Sequence, residues 1–122
     1  MVVGSGHLGA LRLKNVRDID IVVVPEIFNT CKKSGLWEVL NFTYKDKLGH
    51  TYLKRNKVEL YLDVNKGMFN PTFIELRKRA VLIKGIPFAS LEDILKFKTE
   101  YSKQNPKHFK DIEIIEKYLA NK

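Results

Sequence analysis

Asp18 and Asp20, separated by one isoleucine in Arg17-Asp18-Ile19-Asp20-Ile21-Val22-Val23-Val24, are the residues whose types and spacing point most directly to chemistry. The β-branched run predicts a strand, and strand side chains repeat every two residues, so both carboxylates share one face. Like charges that close cost free energy unless a cation, a proton or a basic side chain compensates them. A second acidic strand face follows in Val58-Glu59-Leu60-Tyr61-Leu62-Asp63-Val64, where alternation sets Glu59, Tyr61 and Asp63 opposite Val58, Leu60, Leu62 and Val64. Three convergent carboxylates are hard oxygen ligands of the kind Mg²⁺ takes beside substrate phosphates. Upstream, Gly4-Ser5-Gly6 reads as a small-residue turn ahead of a helical stretch, where backbone N–H groups and the Ser5 hydroxyl suit phosphate oxygens. Each signal is common alone; their order along the chain gives them weight.

The elements that must position these groups alternate between strand and helix patterns. One or two helical turns run from His7 to Leu13, with Leu8, Leu11 and Ala10 inward. The Ile19–Val24 strand stops at Pro25, which suits the first turn of a helix ending at Lys32-Lys33 and Gly35. Residues 36–44 and 51–53 form a hairpin about a Lys45–Gly49 turn, and the strand containing Glu59 follows. Asn70-Pro71 opens a short helix over 72–79, and a strand follows at 80–84. Gly85-Ile86-Pro87-Phe88 is expected at a turn or sheet edge, because proline cannot donate to a central ladder. Ser90 caps a helix to about Ser102, with Asp93 in the position of a capping-box acid. After Asn105-Pro106 a last helix spans about 109–119, with Phe109, Ile112, Ile115 and Leu119 as its apolar stripe. The pattern is an α+β chain, a mixed sheet flanked by helices.

At 122 residues the chain fits one domain, 1–122. Apolar residues at 44% and charged residues at 30% mark it as globular, and no apolar run approaches the ~18 residues of a membrane helix. With the single Cys31 and no signal-peptide pattern at the start, a soluble, cytoplasmic protein without membrane partners is expected. The net charge of +8, from 22 Lys and Arg against 14 Asp and Glu, favours an anionic partner such as a nucleotide or nucleic acid, or serves solubility. Lys98 and Lys107 are candidates to approach a triphosphate, although lysines on helix surfaces are commonly solvated. Asp111 is expected to cap or salt-bridge near the last helix. His7, His50 and His108 show no ligand spacing and are expected at the surface or in packing. Trp37, Tyr44 and Tyr52 are candidates to stack on a base, against the commoner role of strand aromatics in a core, and Cys31 is expected as a small buried apolar residue.

Gly4-Ser5-Gly6-His7-Leu8-Gly9 followed by Arg17-Asp18-Ile19-Asp20-Ile21-Val22-Val23 resembles the signature of the DNA polymerase β-like nucleotidyltransferase superfamily, in its small "minimal" branch. The segments from Ile86 to Lys98 and from Pro106 to Ile112 resemble the "SLEDLIALK … RPKDLxDI" ending of many such proteins, with His108 where the pattern has Asp. The helix that usually precedes the glycine-serine turn is missing from this sequence. The resemblance implies a nucleotidyltransferase-like sheet on which Asp18, Asp20 and a third acid bind two divalent ions, Mg²⁺ or Mn²⁺. It implies a nucleoside triphosphate as substrate, Gly4 and Ser5 as its phosphate turn, and transfer of a nucleoside monophosphate with release of pyrophosphate. The third acid is Glu59, which matches the family's V-D-L pattern, or Asp63, the aspartate the chemistry more often uses. The acceptor would be a protein or nucleic acid. Two other expectations stand beside this one: a non-catalytic module of the same fold in a toxin–antitoxin or defence pair, with a partner encoded by a neighbouring gene, and a basic nucleic-acid-binding protein.

Overall fold

The computed structural model describes residues 1–42 and 50–122. Among them, five helices and a seven-stranded mixed sheet make an α+β fold. The strands are β1 (Val2–Val3), β2 (Ile19–Val22), β3 (Glu38–Asn41), β4 (Thr51–Arg55), β5 (Val58–Tyr61), β6 (Val81–Ile83) and β7 (Ile86–Phe88). The helices are α1 (Gly6–Ala10), α2 (Pro25–Ser34), α3 (Phe73–Arg79), α4 (Leu91–Ser102) and α5 (His108–Ala120). Strand order across the sheet is β3-β4-β5-β2-β1-β7-β6. The β2–β5 and β1–β7 pairs are parallel and the other four antiparallel. Among the described residues, no helix is long and apolar enough to cross a membrane.

Alternation along the central strands divides the core between the two sheet faces. Ile21, Val23, Val58, Leu53 and Leu60 pack with Phe28 and Cys31 of α2 and with Trp37. The opposite face sends Val3, Val22 and Tyr61 against Leu8 of α1, Leu91 and Ile94 of α4 and Ile115 of α5. Pro25 begins α2 and Gly35 closes it, as the sequence predicts. The β3–β4 hairpin is present too; its predicted turn at Lys45–Gly49, with Tyr44, lies outside the described residues.

Four local expectations are corrected. α1 stops at Ala10, short of Leu13, because Arg12 takes a left-handed conformation (φ 59°), and Ala10 is exposed rather than inward. α3 is capped by Thr72, not Asn70: the Thr72 hydroxyl accepts from the Glu75 N–H at 3.1 Å and Glu75 Oε1 accepts from the Thr72 N–H at 3.0 Å. This reciprocal pair satisfies two donors where the Asn-Pro start would satisfy fewer. β7 is interior, between β1 and β6, despite Pro87. Lys84 (φ 52°) and Gly85 (φ 79°) make a two-residue hairpin turn closing on the Ile83–Ile86 pair. The next pair, Leu82–Pro87, is then a non-hydrogen-bonded pair of the antiparallel ladder, and β1 meets β7 only at Phe88, so no ladder bond requires a proline donor.

The fourth correction concerns the inward stripe of α5. Phe109 is 57% exposed, whereas Asp111 and Ile115 are buried and Ile114, Tyr118 and Leu119 pack on the core. The helix is thus rotated so that an aspartate faces inward. Ser90 caps α4 as expected, its hydroxyl accepting from the Asp93 N–H at 3.1 Å, but Asp93 does not reach back. Its buried carboxylate accepts from Arg79 Nε at 2.8 Å instead and ties α4 to the end of α3.

Ile94 is 1% exposed in the helical layer of the core. Ile94→Ala is expected to lose about 2–5 kcal/mol in urea unfolding. Phe109→Ala, on the solvent side of α5, is expected to change stability by less than about 0.5 kcal/mol in the same measurement.

Candidate functional site

β2 carries Asp20 at its second position, and the pairing of the sheet decides what stands beside it. Across one ladder Val3 of β1 is opposite Asp20; across the other, Glu59 of β5 is level with it. The chain leaves β1 directly after Val3, so the Gly4–Ser5 turn forms next to the Asp20 carboxylate. Gly4 has φ +63°, and a Cβ there would lie 2.7 Å from Asp20 Oδ2. Only glycine fits both that backbone and that approach. Asp18 lies just before the strand and is exposed.

These groups face a cleft of about 600 Å³ lined by Gly4, Ser5, Asp18, Asp20 and Glu59, and also by Lys98 and Lys107. Seven of the eight residues expected at the metal or the phosphates therefore share one cleft. Asp63 does not line it: β5 ends at Tyr61, and Asp63 Oδ1 accepts from the Asn65 N–H at 3.0 Å. Of the two candidates for the third acid, Glu59 is the one beside Asp20. Its Oε1 accepts from the Tyr61 hydroxyl at 2.7 Å, while the Tyr61 ring is buried and stacks on Tyr52 with centroids 5.1 Å apart. Tyr52 thus packs on another tyrosine, and Trp37 packs on the α2 face.

Burial and the neighbouring Glu59 push the Asp20 carboxyl up to about 7, with Asp18 adding to the effect and Lys98 opposing it. Burial, Asp20 and Glu59 likewise hold the Tyr61 hydroxyl in its protonated form. Asp18, Asp20 and Glu59 are oxygen donors of the kind a hard divalent cation takes, and the Asp20 carboxyl is raised first by burial and then by Glu59. Among the described residues, no three acidic, histidine or cysteine side chains are already gathered at ligating distance, so binding an ion requires these carboxylates to draw together.

The basic part of the lining differs from the sequence expectation. Lys98 is 6% exposed, not solvated, because α4 turns it into the cleft. Its Nζ lies 2.8 Å from Asp111 Oδ2 and donates to Ser5 Oγ at 3.2 Å. Ser5 Oγ donates to Asp111 Oδ2 at 2.7 Å, and Lys14 Nζ donates to Asp111 Oδ1 at 2.7 Å. Burial alone would raise the Asp111 pKa, but hydrogen bonds from Lys14, Lys98 and Ser5 outweigh it and hold the carboxyl at about 2. Burial draws Lys98 below the ordinary lysine value while Asp111 and Asp20 retain its proton.

His108, expected at the surface or in packing, lines the cleft with Nε2 buried and without a hydrogen-bond partner among the described residues. Burial first, then Lys98 and Lys107, lower its pKa to about 4, so the imidazole is neutral near pH 7. His7 packs as expected, buried with Nδ1 2.9 Å from the Ala89 carbonyl oxygen. Sequence reasoning assigned neither Lys14 nor Asp111 to the site. The available signal was Asp111 itself, four residues before the buried Ile115: an acid on the inward line of a helix calls for buried partners.

Compared with protein-family models, with curated proteins and with solved structures, the chain matches none.

Two outcomes test this geometry. Gly4→Ala is expected to cost about 1–3 kcal/mol in urea unfolding, because the new methyl meets Asp20 and the backbone is left-handed. The Asp20 pKa is higher in the folded than in the unfolded chain, so the native state holds more protons between about pH 4 and 7 and loses stability as pH rises through that window. Asp20→Asn removes this penalty. In metal-free buffer it is expected to melt above the wild type by on the order of 5 °C at about pH 8, the gap closing by about pH 4 in calorimetric scans.

Proposed function

We propose that this protein binds a nucleoside triphosphate with Mg²⁺ in the cleft and transfers its nucleoside monophosphate to an acceptor hydroxyl on a protein or nucleic acid, releasing pyrophosphate. The observation that supports this most is the sheet register that puts Asp20 between the Gly4–Ser5 turn and Glu59. A phosphate-binding turn and a set of hard oxygen ligands thereby stand side by side, the pairing that metal-assisted phosphoryl chemistry requires.

Asp18, Asp20 and Glu59 are the residues to hold the divalent ion. When bound, such an ion supplies charge stabilisation at phosphoryl oxygens and acidifies a coordinated hydroxyl. The chain's own groups do the rest. Ser5, the turn's backbone N–H groups and the ammonium groups of Lys98 and Lys107 bind and orient the phosphates. Tyr61 fixes Glu59 through its hydroxyl and walls off the core behind it. His108, neutral near pH 7, lines the cleft without adding a charge to it.

Isothermal titration with ATP, GTP, CTP and UTP in the presence of Mg²⁺ is expected to reveal at least one ligand with a dissociation constant between about 1 μM and 1 mM. Transfer of label from the matching α-labelled triphosphate is expected to fall about 100-fold or more in Asp18→Ala and Asp20→Ala. Absence of binding by all four nucleotides, or undiminished transfer in those variants, would sink the proposal.

A second reading, that the fold serves as an interaction module, draws on the β6–β7 hairpin. Val81, Leu82 and Ile86 are 44%, 60% and 52% exposed there, and apolar side chains in that number on one hairpin favour a protein partner. Co-purification of a neighbouring-gene product that persists in Asp20→Asn and without nucleotide would support it, and a chain that purifies alone would remove it.

A further inference from the structure

The Asp111 carboxylate has three donors and has no role in the chemistry proposed above. It comes from α5, yet it gathers Ser5 from the turn after β1, Lys14 from the segment after α1 and Lys98 from α4. Its side chain is 3% exposed and that of Lys98 7%. An ammonium has three N–H donors. Lys98 directs one toward Asp111 Oδ2 and one to Ser5 Oγ, and the single hydroxyl proton of Ser5 goes to Asp111, so the three groups form a closed triangle. One Lys98 N–H is then left for a ligand in the cleft that Lys98 lines.

A tie between two packed helices would need only the Lys98–Asp111 pair. The triangle goes further, because two of its corners, Ser5 and Lys98, are groups assigned above to the phosphates. Without Asp111, Lys98 would be an uncompensated ammonium in a buried site, a state that favours loss of its proton and of its fixed position. Lys14 reaches the same carboxylate from a more open side, with 35% of its side chain exposed, and adds a second positive charge behind the first.

We propose that Asp111 is a positioning residue that acts through Lys98: it holds the Lys98 ammonium in place beside Ser5 and so sets the cleft's affinity for the polyphosphate part of its ligand. This rests on the nucleotide-binding reading and adds to it a residue that itself touches no ligand.

The test is a double-mutant cycle with inorganic tripolyphosphate and Mg²⁺ as the probe, followed by titration calorimetry on the full chain. Wild type is expected to bind. Asp111→Asn and Lys98→Met are each expected to weaken binding at least about tenfold. If Asp111 acts through Lys98, K98M/D111N binds no more weakly than K98M; a merely structural role would add its own loss on top. Where D111N alone does not fold, K98M/D111N, which removes both buried charges and leaves only the more open Lys14 without its carboxylate, is compared with K98M. Equal affinities support the proposal and a further loss overturns it. D111N binding within twofold of wild type also overturns it while leaving the nucleotide reading intact. A wild type that binds no tripolyphosphate removes the phosphate reading itself, and this inference with it.

Discussion

Asp20 sits on a strand paired on both sides, with Val3 opposite it across one ladder and Glu59 level with it across the other. Every other part of the site depends on this register. A slip of one residue would turn Asp20 toward the α2 face, among Phe28, Leu53 and Leu60, and would bring Ile19 or Ile21 to the cleft. It would also separate the carboxylate from the Gly4–Ser5 turn, whose position is set by where β1 ends. The apolar alternation of Ile21, Val22 and Val23 between two cores prevents the slip, since each face accepts only its own set.

The acids are therefore held by packing energy generated elsewhere. Tyr61 shows how closely the two are joined: its ring belongs to the helical-side core, and its hydroxyl reaches the carboxylate two residues earlier on the same strand face. One side chain contributes burial and orients an acid. The cost appears in Asp20, whose carboxyl is pushed far above its ordinary range by burial and by Glu59. Asp20 is held there by a strand paired on both sides, so the fold does not relieve that burial by moving the carboxylate out to solvent.

The basic part of the lining is built on the opposite rule. There Asp111 lies between Lys14 and Lys98 and is shared by both, and Ser5 joins them to the glycine turn. These contacts link four segments that no ladder connects. Within one cleft, acids on the strands and the Asp111-centred ion pairs stand beside the same turn.

Much of the fold and most of the residues that line the candidate site were legible in the sequence, because they depend on short-range rules. The D-x-D on an apolar run, the Gly-Ser turn, the Pro25 start of α2, the Ser90 cap and the alternation that brings out Glu59 are statements about residues within a few positions of each other. The sequence alone could not say which of Glu59 and Asp63 stands beside Asp20, since both lie on the polar side of one alternating run; the end of β5 at Tyr61 and the parallel pairing with β2 put Glu59 there. Nor could it place Pro87 inside the sheet, where the hairpin phase removes the need for its missing donor. For the burial of Asp111 the one signal was an acid four residues before Ile115 on the same line of the helix; the exposure of Phe109 and the burial of Lys98 were out of reach. A charge on a helix is usually solvated, and only contacts spanning up to 106 residues, from Ser5 to Asp111, make burial favourable here. Local chemistry marked out the candidate residues; long-range pairing and compensation of buried charge decided which of them meet.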